Sequence, residues 1–216
     1  MKSIRSKLKK LTPFRSSKYW EQRYAQGGTS GAGSFGRLAD YKAKFINDFA
    51  EEHGMAEAIE FGSGDGNQCS QFKFQTYIGV DVSHNALASC REKFRHKTGW
   101  RFLHYDDPQV GTLKSPLVLS LDVIFHLVED RVFNQYMEKL FSTSTKYVLI
   151  YSSDHDANTG NRHVRHREYS DWIKERAAQF SFEAEWPHPY PMTDNSDPNE
   201  TSFANFQLFQ IIDKSS

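Results

Sequence analysis

Apolar and polar positions along this chain follow two periods. From 38 to 53, LADYKAKFINDFAEEH sets Leu38, Tyr41, Phe45 and Phe49 at helical spacing, and Gly54 predicts the stop. Short apolar runs then recur with helical stretches between them. AEAIEFG (56–62), QTYIGVD (75–81), WRFLHY (100–105), PLVLSLDV (116–123) and KYVLIYSS (146–153) read as strands. Ser83 predicts a cap for a helix reaching about Arg95, and 124–141 and 168–179 predict further helices. The tail gives SFEAEW (181–186) and then SFANFQLFQII (202–212), whose alternation is that of an antiparallel strand. Strands alternating with helices predict an α/β domain: a mostly parallel sheet covered by helices on both faces. No internal repeat or linker interrupts it. The stretch 186–201, with four prolines, predicts a surface loop.

Charge changes this picture at one end only. Of 216 residues, 27 are Lys or Arg and 27 Asp or Glu, a net of zero that argues against a dedicated nucleic-acid binder. Residues 1–20 hold seven of the basic side chains and no acid, so the remaining body is 20 basic against 27 acidic, a net of −7. We therefore separate a basic arm, 1–18, from a single domain, 19–216. Ile4, Leu8 and Leu11 would give the arm an amphipathic helical face suited to an acidic membrane surface or a protein partner, the alternative being a solvated terminus. No apolar run is long enough for a membrane span and no apolar stretch follows the basic start, so the cytoplasm is the default location and the arm would suit the inner face of its membrane. Cys69 and Cys90 stand alone, without the spacing of a zinc site or a disulfide framework.

Candidate chemistry begins with glycine. Nine of the 13 glycines lie between Gly27 and Gly66, and all but Gly54 fall in two loops, 27–36 and 62–66, expected on opposite sides of one ligand. Glu60-Phe61-Gly62-Ser63-Gly64-Asp65-Gly66 follows the first strand directly. Such a turn lets backbone approach a ligand, and the next helix is expected to offer its amino end. Asp81 closes the second strand 21 residues after Glu60, where an acid holds ribose hydroxyls, and Asp106 or Asp107 follows the third strand. Each alone is an ordinary strand-end residue; their joint placement points to a nucleoside. The glycine spacing is not the GxGxxG of dinucleotide sites. A carboxylate at Glu60 would repel a pyrophosphate and attract an ammonium group, which points to S-adenosylmethionine and away from NAD.

EFGSGDG, YIGVDVS and LSLDVIFHLVED, in this order, resemble the successive motifs of class I S-adenosylmethionine-dependent methyltransferases. YWEQRYAQGGTSGAGSFGRLA and HVRHREYSDWI are similar to a bacterial subgroup that accompanies surface-polysaccharide genes. The resemblance implies a Rossmann-like seven-stranded sheet, mostly parallel with its last strand antiparallel. It implies that Gly62, Ser63 and Gly64 line the methionine and ribose, that Asp81 takes the ribose hydroxyls, and that Val82 lies beside the adenine with Asp106 at its edge. Leu121 would meet the amino acid part, the loop carrying Gly33 and Ser34 would fold over the cofactor, and Trp20, Arg23 and Tyr24 would close the site. Arg23 would take the cofactor carboxylate, and Tyr24 is also a candidate acceptor contact. Ser63 replaces the Cys of many relatives, and Ser115-Pro116 replaces an Asp before the fourth strand.

Methyl transfer to a hydroxyl needs alignment and a base. Asp122 and His126, at i and i+4, would share one helical face near the sulfur, and His126 is the candidate base. Arg162, His163, Arg165 and His166 place four basic or titratable side chains where acceptor loops lie, and would suit an anionic acceptor. Asp154, His155 and Asp156 fit loop capping better than a metal site. The sequence thus predicts methyl transfer to an oxygen of a sugar, glycan end or similar small polar acceptor, without nucleic acid. The alternatives are nitrogen, protein or nucleic-acid methylation, or a non-catalytic binding module.

Overall fold

The computed structural model describes residues 14–212. The proposed amphipathic face of the arm lies outside them. Helix α1 (Ser16–Ala25) opens the described chain, so a boundary at 18 cuts into this helix. Helix α2 (Gly36–Glu52) follows, and β1 (Glu57–Phe61), β2 (Thr76–Asp81), β3 (Trp100–His104), β4 (Ser115–Leu121) and β5 (Ser144–Ser152) form the parallel part of the sheet. Helix α3 (His84–Lys93) joins β2 to β3 and α4 (Asp130–Thr143) joins β4 to β5. A two-residue hairpin, β6 (Ala157–Asn158) with β7 (Arg165–His166), precedes α5 (Tyr169–Arg176), and the chain ends with β8 (Phe180–Trp186) and β9 (Asn205–Ile211). Strand order is β3-β2-β1-β4-β5-β9-β8, with β9 antiparallel to both neighbours.

Each apolar run is buried because both sheet faces are covered. Leu117, Leu119, Tyr147 and Leu149 point to the face carrying Ile46 and Phe49 of α2 and Leu87 and Cys90 of α3. Val118, Val148 and Ile150 point to the opposite face, under Met137 and Leu140 of α4 and Trp172 and Ile173 of α5. Alternate residues of a strand thus serve opposite layers, which is why the central strands read as unbroken apolar runs. Truncating a ring at this depth, such as Phe206, would cost about 3–5 kcal/mol. Ser83 caps α3 by accepting from the Ala86 N–H at 3.2 Å, and Gly54, with φ of 64°, ends the turn after α2. Among the described residues no helix is long and apolar enough to cross a membrane.

Two expectations fail locally. No α-helix follows the glycine turn. The β1–β2 connection holds only one 3-10 turn, Cys69–Gln71, because Cys69, Phe72 and Phe74 pin it as core anchors over a short span. Nor does a helix run from 124. Asp122 takes a left-handed φ of 57°, which turns the chain away from β4. Ile124–His126 is a single 3-10 turn, and α4 starts only at Asp130. Asp122 and His126 therefore share no helical face.

Candidate active site

A cleft with about 920 Å³ of empty space, mouth included, opens at the carboxyl ends of β1, β2 and β4. This is where parallel α/β sheets place ligands. Glu60, Gly62, Ser63, Asp81, Val82, Leu121, Asp122 and His126 all line it, with Ser34, Trp20 and Tyr24 from the preceding segment. Gly62 N–H donates to Val80 O at 2.7 Å, which folds the turn back on β2. A side chain at Gly62 would collide with Val123, and its φ of 89° favours glycine, so both conformation and space require this residue.

The two glycine loops meet. Ser30 N–H donates to Asp65, Asp65 N–H donates to Ser30 Oγ, and Asn67 donates to Ser34 O. They form one wall, where opposite sides were expected. Gly64 and Gly33 lie behind this wall. Gly64 N–H donates to the Asp81 carboxylate at 2.9 Å, and Gly33 packs where any Cβ would press on the Asp122 carboxylate.

Two buried acids, Glu60 and Asp81, and the half-buried Asp122 face this region. Asp81 also accepts from Ser83 N–H at 2.9 Å, yet burial raises its pKa. Burial pushes the Glu60 carboxyl up to about 7, although Tyr77 donates to it. Asp122 pairs with Lys42, a residue the sequence reading missed: it lies on the inward face of α2, and its side chain is 1% exposed. Its only sequence signal was a lysine four residues after Leu38, on a face otherwise apolar.

Four buried side-chain atoms have no hydrogen-bond partner among the described residues, and three of them, Ser63 Oγ, Gln68 Oε1 and Tyr105 OH, belong to residues lining the cleft. Gln68 donates its amide to Ala39 O at 3.1 Å, which leaves the carbonyl oxygen as a bare acceptor. Gln68 and Tyr105 were not anticipated. A buried polar atom without a partner costs stability, so this concentration marks a place built for a polar ligand.

His126 is fixed by what surrounds it. Its Nδ1 lies 2.8 Å from His163 O. A carbonyl only accepts, so Nδ1 carries the proton and Nε2 keeps its lone pair, with no hydrogen bond among the described residues. Trp20 meets the ring edge-on at 4.9 Å and His163 stacks at 5.6 Å. Burial holds the His126 pKa down at about 4.

Other expected residues stand elsewhere. Arg23 donates to Thr29 O at 2.6 Å and lies over Trp20, so it braces the glycine loop and faces no cleft wall. Asp106 is 82% exposed and lies beside His104, outside the cleft lining; the neighbouring Tyr105 points inward in its place. The four basic hairpin residues do not converge. Arg165 donates to Asp130 at 2.8 Å, His166 bonds Ser153 at 2.6 Å, His163 stacks on Tyr19 at 4.7 Å, and Arg162 stands exposed. Arg167 joins the same pairing by donating to Asp130 and to Leu127 O. Asp154 and Asp156 accept from the Ser170 and Glu168 N–H groups, which are capping contacts. No group of three or more metal-ligating side chains occurs among the described residues.

No family model and no curated protein matches the sequence. Solved structures do match in three dimensions. The N-methyltransferase NodS from Bradyrhizobium japonicum WM9, in complex with S-adenosyl-L-homocysteine, superposes with a TM-score of 0.69 at 10% identity, over 92% of this chain and 99% of that one. Magnesium protoporphyrin IX methyltransferase ChlM from Synechocystis PCC 6803, with bound S-adenosylmethionine, gives 0.63 at 11% identity over 93% and 99%. The methyltransferase domain of bacterial CtHen1-C gives 0.59 at 16% over 79% and 96%. The chain has the Rossmann-like fold these methyltransferases share.

Proposed function

We propose that this protein is an S-adenosylmethionine-dependent methyltransferase acting on an oxygen or nitrogen of a small acceptor. The observation that carries the reading is the convergence in one cleft of Asp81, three unpartnered buried polar atoms and a histidine with a free Nε2. The residues fit the cofactor. Asp81 would accept from ribose hydroxyls, with Val82 and Tyr105 around the base. Gln68 Oε1 and Glu60 would face the ammonium group.

The cofactor supplies a methyl group on a positively charged sulfur. The protein's part is alignment and proton removal. His126 Nε2 accepts the acceptor's proton, and Nδ1–H on His163 O holds the ring in the tautomer that permits it. A weak neutral base suffices for an oxygen, because it becomes strongly acidic as it gains a third substituent. Trp20 and Tyr24 of α1 cover the cleft and keep water out.

Oxygen acceptance, with a sugar or glycan end as acceptor, remains the reading taken from the sequence. The neighbours include an N-methyltransferase, which makes nitrogen the second acceptor atom to test. Calorimetry with S-adenosylhomocysteine tests the core of the reading. Micromolar binding is expected, with none for NADH; the reverse result would overturn it.

A further inference from the structure

Among the described residues, no unpaired cation lines the acceptor side of the cleft. Arg165 and Arg167 both pair with Asp130 and line no wall of the cleft, Lys42 pairs with Asp122, and Arg37 donates to Glu200 O at 2.8 Å and pairs with the Glu200 carboxylate at 2.7 Å. Arg162, at the hairpin tip, lines no wall of the cleft. The imidazoles there are uncharged near neutral pH: burial lowers the pKa of His126, His163 and His166 alike.

The same side carries an apolar rim. Six large hydrophobic side chains stand exposed among the described residues, and four of them, Phe35, Tyr190, Met192 and Phe203, are 38–39% exposed on two segments joined where Tyr190 lies under Arg37. Phe35 follows Ser34, which lines the cleft. Phe203 packs edge-on against Phe125 at 5.0 Å, and Phe125 lies 4.6 Å from the His126 ring. Met192 N–H bonds Ser202 O at 2.9 Å, which sets Met192 next to Phe203, and Tyr190 lies under Arg37 at 4.1 Å. Exposed apolar groups scattered singly need no explanation; three on one loop, joined through Phe125 to the ring of the candidate base, do.

We propose that the acceptor has an uncharged reacting end and an apolar body, the reacting group reaching His126 while the body lies across Phe203, Met192 and Tyr190. This rests on the methyl-transfer reading and narrows it: a sugar hydroxyl would be taken from a glycoside with an apolar aglycone, not from a sugar phosphate or uronic acid.

Three probes separate the variables on one sugar: hexyl β-glucoside below its micelle concentration, methyl β-glucoside, and glucose 6-phosphate. Each is titrated into the full-length protein saturated with S-adenosylhomocysteine. Hexyl glucoside is expected to bind at least about tenfold more tightly than methyl glucoside, since each buried methylene adds a several-fold factor, and glucose 6-phosphate no better than methyl glucoside. Phe203→Ser with Met192→Ser should erase most of the hexyl advantage while S-adenosylhomocysteine affinity stays unchanged, with the fall in melting temperature expected from the lost Phe203–Phe125 contact. Equal binding of the two glucosides, absence of hexyl glucoside binding, preference for the phosphate, or an advantage indifferent to the rim variants would each overturn the proposal. Failure of S-adenosylhomocysteine itself to bind would strike the underlying reading instead.

Discussion

The groups we propose to face the cofactor and those we propose to face the acceptor come from different parts of the fold. Glu60, Asp81 and Asp122 sit at or just past the ends of three adjacent parallel strands, and the register that pairs Glu60 with Gly79 and Leu119 sets their spacing. The proposed acceptor side draws on α1, a two-residue hairpin and the loop between β8 and β9, all outside the parallel strands. A side chain at a strand end is placed by the whole sheet, so its position follows from the strand's place in the sequence. A side chain on a loop is placed by whichever partner it finds, as Arg165 finds Asp130. Conversion of one side to the other's task is therefore unequal: the cofactor wall tolerates few changes, whereas the acceptor wall can vary without moving the sheet.

The sharpest test of the contrast is at His126, where the two sides meet. His126→Asn should lower kcat by about 10²–10⁴, the range for loss of a positioned base, while S-adenosylhomocysteine affinity by calorimetry stays within about threefold. Equal loss of both would make the ring a packing element for Trp20. Next in size is Asp81→Asn. It removes a charged acceptor from two backbone N–H groups and from the ribose hydroxyls, and should weaken cofactor binding about 10- to 100-fold with acceptor KM unchanged. An unaltered cofactor Kd would remove the strand-end acid from the site.

Legibility in the sequence divides along the same line. The strands, their order of appearance and the cap at Ser83 could be read because apolar runs and punctuating residues are local signals. Glu60, Gly62, Ser63, Asp81, Val82, Leu121, Asp122 and His126 could be placed at the cleft for the same reason. The helix expected across 124–141 was misread because a left-handed residue at Asp122 has no period to announce it. Lys42 and Gln68 were invisible because each acquires meaning only by tertiary contact, one with Asp122 and one with Ala39 O. The basic hairpin misled most. Counting Arg162, His163, Arg165 and His166 as one patch assumed that their charges stay free, and a single acid on α4, Asp130, takes up Arg165.

Titration separates the sides further. With Glu60 raised to about 7 by burial, an incoming ammonium favours its ionised form, so binding below that pH releases a proton. Cofactor affinity should rise up to about tenfold per unit from pH 5.5 toward 7 and then level off; Glu60→Gln should flatten the curve. For the apoprotein the sign is opposite: a carboxyl with a raised folded pKa stabilises the fold fully below about 4.5 and loses that contribution as pH rises through 7. A Kd independent of pH in the wild type would mean that Glu60 does not meet the ammonium. His126, held down at about 4, should contribute no limb to the kcat profile between pH 5.5 and 8, where an ordinary histidine would.

The smallest expected effect is also the one that most directly divides the two pictures of the acceptor. If the hairpin were an anion receptor, Arg162→Ala and Arg165→Ala would raise KM for a negatively charged acceptor and leave an uncharged one alone. In the structure Arg165 is an exposed ion pair with Asp130, worth about 0–1 kcal/mol to stability, and Arg162 touches nothing in the cleft. Both variants should therefore change KM by less than about twofold for any acceptor, with at most a slight fall in melting temperature for Arg165→Ala. Measured against hexyl glucoside and glucose 6-phosphate side by side, a selective rise for the phosphate would restore the hairpin as the acceptor's docking point. Unchanged values for both would leave the rim around Phe203 as the surface that selects the substrate.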